Sequence, residues 1–318
     1  MAGPADSAQM AMDAMPVGER RGLREDLFDA AFLRRIEHLA LLARRMAASG
    51  QRAVRRSKAI GSGIEFADHR DYAPGDDLRH LDWKVWGRSE RMLLRQYEEE
   101  EDLSVYFLLD RSPSMAMAPV GEPSLFDRAL QITAALAWIS LSNLDRVALA
   151  PMADGKARAE RPVRGRAQFY RLLRTLSALR PAGQTQIRQS IQDFVRGRPR
   201  RGLAVILSDL YDPQGLGDGL RELAARGFDT MVIQLADERL FQSGQTGDLV
   251  LVDVETGERH EVFLTPALLE AYRDAFARFA AGVESAAREV GARALRVDVA
   301  LPFDEVVMRV FRLGGFLG

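Results

Sequence analysis

Two carboxylates and three hydroxyls in this chain have the types and spacing that could do chemistry. Asp110, Ser112 and Ser114 alternate in the segment DRSPS, directly after an apolar run from Leu103 to Leu109. A second apolar run, Gly202 to Ser208, ends on Asp209, and Thr185 lies in the intervening loop Pro181-Ala182-Gly183-Gln184-Thr185. Oxygens at every second residue, with Pro113 stiffening the turn, suit a hard divalent cation. Magnesium takes about six oxygens in a tight octahedron and usually keeps some water. Hydroxyl ligands bring no formal charge, so an ion whose carboxylates act partly through water stays electrophilic. Such an ion can accept a carboxylate from outside as its last ligand. The expected metal site is therefore Asp110, Ser112, Ser114, Thr185 and Asp209, loaded with Mg2+ or Mn2+, and it binds acidic partners without obvious turnover.

Those oxygens meet only if the strands that carry them end at one edge of a sheet. Val105, Phe107 and Leu109 alternate with Tyr106 and Leu108, so both faces of the first strand are apolar, as in a parallel sheet covered on both sides. Loops at the carboxyl ends of such strands are where open α/β sheets place ligands. Downstream, strands are predicted at Arg146–Pro151, Gly202–Ser208, Thr230–Leu235 and Ala294–Val299, with a short edge strand within Lys156–Val163. Helical spacing is found at Ser124–Leu141, Phe169–Leu179, Ile187–Phe194, Gln214–Arg226, from Thr265-Pro266 to Val290, and at Phe303–Phe311. Ser124 and Thr265 stand where N-caps belong, and Pro266 suits the first helical position. Leu249 to Val262, turning at Thr256-Gly257, reads as an inserted hairpin. The alternation predicts an α/β fold, a Rossmann-like mostly parallel sheet flanked by helices, with an N-terminal helical and loop-rich extension and an inserted β-hairpin.

Residues 1–25 read as a disordered lead, 26–102 as the extension, 103–300 as the central domain with its hairpin near 249–263, and 301–318 as a C-terminal helix and tail. In the extension, Phe28, Phe32, Ile36, Leu39, Ala43 and Met46 mark a helix from Asp26 to Ala48. The stretch 44–58 follows, with Arg44, Arg45, Arg52, Arg55, Arg56 and Lys58 and no acidic residue. The segment Gly61–Trp86 mixes glycines, Arg–Asp combinations and aromatics, and predicts a compact lobe wired by those pairs. Asp76, Asp77 and Asp82 belong to that wiring rather than to a metal site. Glu98 to Asp102 is an acidic collar, and Met92–Tyr97 a strand.

The 318 residues hold 44 Lys plus Arg against 45 Asp plus Glu, so overall charge favours neither nucleic acid nor a halophilic surface. Without cysteine, thiolate metal sites, disulfides and cysteine nucleophiles are excluded. The N-terminus lacks a secretory pattern and Leu27–Met46 is broken by Arg34, Arg35, Glu37, His38, Arg44 and Arg45, so a cytoplasmic protein without a membrane span is expected.

The five-residue constellation resembles the metal-ion-dependent adhesion site (MIDAS) of von Willebrand factor type A domains: Asp-x-Ser-x-Ser after an apolar strand, a later loop threonine, and a strand-final aspartate. Gly63-Ile64-Glu65-Phe66, Arg70-Asp71-Tyr72, Pro74-Gly75-Asp76-Asp77-Leu78-Arg79 and Asp82-Trp83 resemble the signature that precedes such a domain in the bacterial family called domain of unknown function 58 (DUF58). The resemblance spans roughly residues 33–240 and is far more specific than the five positions alone. It implies a von Willebrand factor A-like fold in which Ser112, Ser114 and Thr185 are direct ligands, with Asp110 and Asp209 direct or through water. It further implies a non-enzymatic partner of MoxR-type AAA+ ATPases in complex assembly or activation, with a client that presents an acidic residue. One departure stands out. Many such domains have paired glycines before the loop threonine, whereas here Gln184 precedes Thr185, and a left-handed residue at 184 would cost energy.

Two other functions fit parts of the sequence. A magnesium-dependent phosphohydrolase would use Asp110 as nucleophile, but position 112 is serine where a second carboxylate is expected, and Lys156 is the one lysine of the central fold. A nucleic-acid binder would use the basic stretch 44–58 and show a steep salt dependence. No phosphate-binding Gly-rich loop or nucleophile elbow is present, and His38, His69, His80 and His260 lie outside the core pattern.

Overall fold

The computed structural model describes residues 27–48, 60–61, 65–74, 76–98, 103–118, 122–238 and 247–314. In chain order the elements are α1 (Ala30–Ala48), β1 (Ile60–Gly61), β2 (Glu65–Asp71), α2 (Trp83–Ser89), β3 (Leu93–Glu98), β4 (Ser104–Asp110) and α3 (Leu125–Ser142). They continue with β5 (Arg146–Met152), β6 (Val163–Arg164), α4 (Phe169–Ala178), α5 (Ile187–Arg196), β7 (Leu203–Ser208), α6 (Pro213–Ala225) and β8 (Asp229–Ala236). The last are β9 (Gly247–Val252), β10 (Arg259–Leu264), α7 (Pro266–Glu289), β11 (Arg293–Asp298) and α8 (Phe303–Leu313). The expected lead and most of the basic stretch and acidic collar lie outside the described residues.

The main sheet has six strands in the order β11-β8-β7-β4-β5-β6, parallel throughout except for β6. This is the mostly parallel α/β architecture the sequence predicts. Strand β4 is buried along its whole length because it lies mid-sheet with helices on both faces. Its alternation divides it between two cores. Val105, Phe107 and Leu109 pack with α3, α1, α4 and α8, while Tyr106 and Leu108 pack with α5, α6 and the C-terminal half of α7. Each such side chain, fully withdrawn from water, contributes roughly 1.5–3 kcal/mol of transfer free energy.

Helix α3 is apolar nearly all round and accordingly buried. Its start is fixed by a capping box: the Asp127 amide donates to Ser124 Oγ at 3.0 Å, and the Ser124 amide donates to Asp127 Oδ2 at 3.1 Å. Helix α1 lays Phe32, Ile36, Leu39 and Ala43 into the same core as α3 and α8. The edge strand expected within Lys156–Val163 falls at Val163–Arg164, antiparallel to β5. Strands β9 and β10 form the predicted hairpin as a separate two-stranded sheet.

The smaller sheet, β1-β3-β2, is antiparallel. Beside it, Arg70 clasps Asp76 through two hydrogen bonds of 2.7 and 2.6 Å, and Arg79 clasps Asp77. Asp82 caps α2 through the Lys84 and Val85 amides and meets His69 Nε2 at 3.0 Å. All three aspartates are thus engaged structurally, as the sequence reading has it.

Candidate metal centre

Asp110 is the last residue of β4 and Ser208 the last of β7, one step beyond the parallel pair Leu109–Leu207. The chain then turns inward: Ser112 precedes a single 3-10 turn, Pro113–Ala116, pinned by Met115, which is fully buried. The Ser112 amide donates to Asp110 Oδ1 at 2.9 Å, and the Ser112 and Ser114 hydroxyls lie 2.9 Å apart. Ser208 Oγ donates to Asp110 Oδ2 at 2.5 Å and accepts from the Leu210 amide at 2.9 Å. Asp110, Ser112, Ser114, Ser208 and Asp209 are all buried.

Asp209 follows β7, and Leu210 after it takes a left-handed backbone, φ 65°, while wholly buried. For a leucine this conformation costs energy, and it persists because the surroundings hold it. Here the holders are the Leu210 amide on Ser208 Oγ, the Asp212 amide on the Leu210 carbonyl at 2.6 Å, and the Tyr211 amide on Asp209 Oδ1 at 3.2 Å. Asp209 Oδ2 is buried and has no hydrogen-bond partner among the described residues. Burial first, and then the Asp110 charge, push the Asp209 carboxyl up to about 7, with the Ser114 hydroxyl and Tyr211 amide opposing. Burial also raises Asp110, against the pull of Ser208 and Ser112.

The Thr185 loop is tied to the same turn. The Ala182 amide donates to the Arg111 carbonyl at 2.5 Å, and Arg111 Nε donates to the Arg180 carbonyl at 2.8 Å. Asp154, after β5, clamps the other side: the Gln184 amide donates to Asp154 Oδ1 at 2.9 Å and the Asp154 amide to the Gln184 carbonyl at 3.2 Å. The left-handed residue of this loop is Gly183, φ 81°, and a Cβ there would meet the Asp154 carboxylate at 2.8 Å. Gln184 does not have a positive φ, so the strain anticipated for it does not arise. Thr185 Oγ1 donates to Glu255 Oε1 at 2.6 Å, and the Glu255 charge raises both Asp110 and Asp209. Hydrogen bonds thus tie Ser112 to Asp110, Ser114 to Ser112, and the Thr185 loop to Arg111, while the Thr185 hydroxyl itself bonds to Glu255.

A divalent cation fits this donor set. Among the described residues no basic side chain pairs with Asp110 or Asp209, and buried carboxylates without one are costly. The orphaned Asp209 Oδ2 and the adjoining hydroxyls are hard oxygen donors suited to magnesium or manganese. No group of three or more His, Cys, Asp or Glu placed to hold a metal occurs among the described residues, so a cation here would need the hydroxyls as ligands. Such an ion would supply positive charge that neutralises the carboxylates and an affinity for an external acid.

The family model described as "Protein of unknown function DUF58" matches residues 68–285. This chain belongs to the DUF58 family. The uncharacterized protein Rv1480 of Mycobacterium tuberculosis is 34% identical over 225 residues, covering 70% of the DUF58 chain here and 69% of that protein. The uncharacterized protein YeaD of Bacillus subtilis is 27% identical over 146 residues, 42% of this chain and 34% of that one. Among solved structures, the conserved hypothetical protein BatB of Bacteroides thetaiotaomicron aligns over 66% of this chain and 98% of its own, at 15% identity and a TM-score of 0.42. The SpRpn10 VWA domain aligns over 67% and 96%, at 12% identity and 0.39.

Three residues of the centre escape sequence reasoning. Ser208 looked like one more strand residue, although a hydroxyl in a run of aliphatics next to a terminal aspartate is a usable signal. Leu210 carries no Gly or Asn mark for its left-handed turn. Glu255 sits next to the hairpin turn, and nothing local says where that turn goes.

Proposed function

We propose that this DUF58 protein is a non-enzymatic, metal-dependent protein-interaction module. In this reading Asp110, Ser112, Ser114, Thr185 and Asp209 hold Mg2+ or Mn2+ and a partner contributes a carboxylate. The observation that carries it is the buried, unpartnered Asp209 Oδ2 beside Asp110 and the two serine hydroxyls. A buried carboxyl pair of this kind is relieved by a cation as well as by a proton, and the adjoining hydroxyl oxygens suit the cation. The family resemblance extends the proposal to a MoxR-type AAA+ ATPase as the partner that supplies ATP hydrolysis, acting in the cytoplasm on a client with an acidic residue. For position relative to a membrane, the described residues contribute one fact: no helix among them is long and apolar enough to cross one.

The test is calorimetric titration with Mg2+ and Mn2+. Binding is expected for the wild type and lost in Asp110→Ala/Ser112→Ala, with cooperative thermal unfolding retained. A purified MoxR-type ATPase should bind the wild type in the presence of Mg2+ and release it on chelation. Equal retention by the double variant would remove the metal from the interaction.

A further inference from the structure

The β9–β10 hairpin brings a third carboxylate to the centre, and the hairpin is built to do so. Its turn is self-sufficient: Asp253 Oδ1 accepts the Glu255 and Thr256 amides at 2.8 and 2.9 Å, and the Asp253 amide donates to the Glu258 carbonyl at 2.8 Å. Gly257 supplies the left-handed position, φ 75°. The Glu255 side chain takes no part in the turn, which leaves it free to reach Thr185 Oγ1 at 2.6 Å. Leu251, Val252, Val254 and Phe263 on the hairpin are exposed, so little apolar burial holds the arm down. A two-stranded ribbon without such burial is marginal on its own. Its tip is thus held at the site by a polar contact that a competitor can replace.

The residue that the tip reaches, Thr185, is one of the proposed ligands. Thr185 donates its proton to Glu255, which leaves its lone pairs free for another partner. Among the described residues the three carboxylates do not form one ligating group, so the grip of Glu255 on the site runs through Thr185.

We propose that Glu255 is the site's own acidic occupant: the hairpin tip stands where a partner's carboxylate binds, and an acidic partner must displace it. This rests on the metal-site reading above. Three observations carry it independently of any pKa: the short Thr185 contact, the exposed and weakly packed arm, and the orphaned Asp209 Oδ2 within the same site.

The experiment uses the full chain, Mn2+ as the probe ion and acetate as the probe acid, read by water-proton relaxation of the bound Mn2+. Glu255→Gln is nearly isosteric and leaves the Asp253 turn intact. Glu258→Gln, on the same hairpin but 72% exposed, is the charge control. The expected result is higher relaxivity for Glu255→Gln, because water reaches the ion more freely. Acetate should then lower that relaxivity at concentrations roughly tenfold below those needed for the wild type, about 1.4 kcal/mol. Glu258→Gln should match the wild type. Identical relaxivity and acetate response for wild type and Glu255→Gln, with Mn2+ bound by both, would overturn the occupant role and leave the metal centre standing. Absence of Mn2+ binding by the wild type would instead remove the centre itself, and the occupant with it.

Discussion

A carboxyl group buried beside another carboxyl can be relieved by a proton or by a cation. Asp209, raised to about 7 by burial and by Asp110, can take either near neutrality. Its pKa in the fold lies above the ordinary aspartate value of about 3.9, so folding takes up a proton. In metal-free protein the stability contribution is therefore highest below about pH 4, falls as pH rises through about 7, and levels off above. Thermal unfolding in chelator should follow that slope, and Asp209→Asn should flatten it, gaining up to a few kcal/mol at pH 8. Mn2+ competes with the same proton, so wild-type affinity by calorimetry should rise from about pH 5.5 to 7 and then plateau. A pH-independent affinity would mean that Asp209 is not a ligand. At this scale Asp110, Ser112 and Ser114 are legible because their spacing is local. Ser208 is not, because its bond to Asp110 depends on the β4–β7 register.

Each loop of the centre is an element with its own geometry. Gly183 is required in the Thr185 loop by its left-handed φ and by Asp154, which occupies the space a Cβ would need. Gly183→Ala should cost roughly 1–2 kcal/mol in urea unfolding and weaken Mn2+ binding by displacing Thr185. Gln184→Gly, which would place paired glycines before Thr185, should give no gain in Mn2+ affinity. A clear gain would place the left-handed turn at 184 rather than 183. At the start of α3, Ser124→Ala should cost about 1 kcal/mol by removing one half of the capping box. The hairpin was readable as strand, turn and strand, since alternation and Thr256-Gly257 are local marks. Its destination was not, because contact between Glu255 and Thr185 spans 70 residues.

Over the whole molecule, α1 joins the central fold through side chains from both ends of the chain. Phe32 packs against Phe303 with ring centroids 4.7 Å apart, and Arg35 covers the same ring at 4.6 Å while also contacting Asp304. The helix was legible as an amphipathic segment, but its partner was not. Phe32→Ala should destabilise the protein by about 3–5 kcal/mol while a single urea transition is kept, since α1 and the sheet share one core. Two separate transitions would mean that α1 folds as an independent unit.

By itself the sequence determined the strand and helix alternation, the covered β4, and the presence of two strand-end aspartates with serines at ligand spacing. Those follow from hydrophobic period and turn chemistry, which act over a few residues. Only the tertiary structure decided that Asp209 Oδ2 is left without a partner among the described residues, that Leu210 bends left-handed under Ser208, and that a distant glutamate accepts the Thr185 hydrogen bond. Each of these depends on which strands lie side by side and on what the folded chain excludes from water, and local pattern encodes neither.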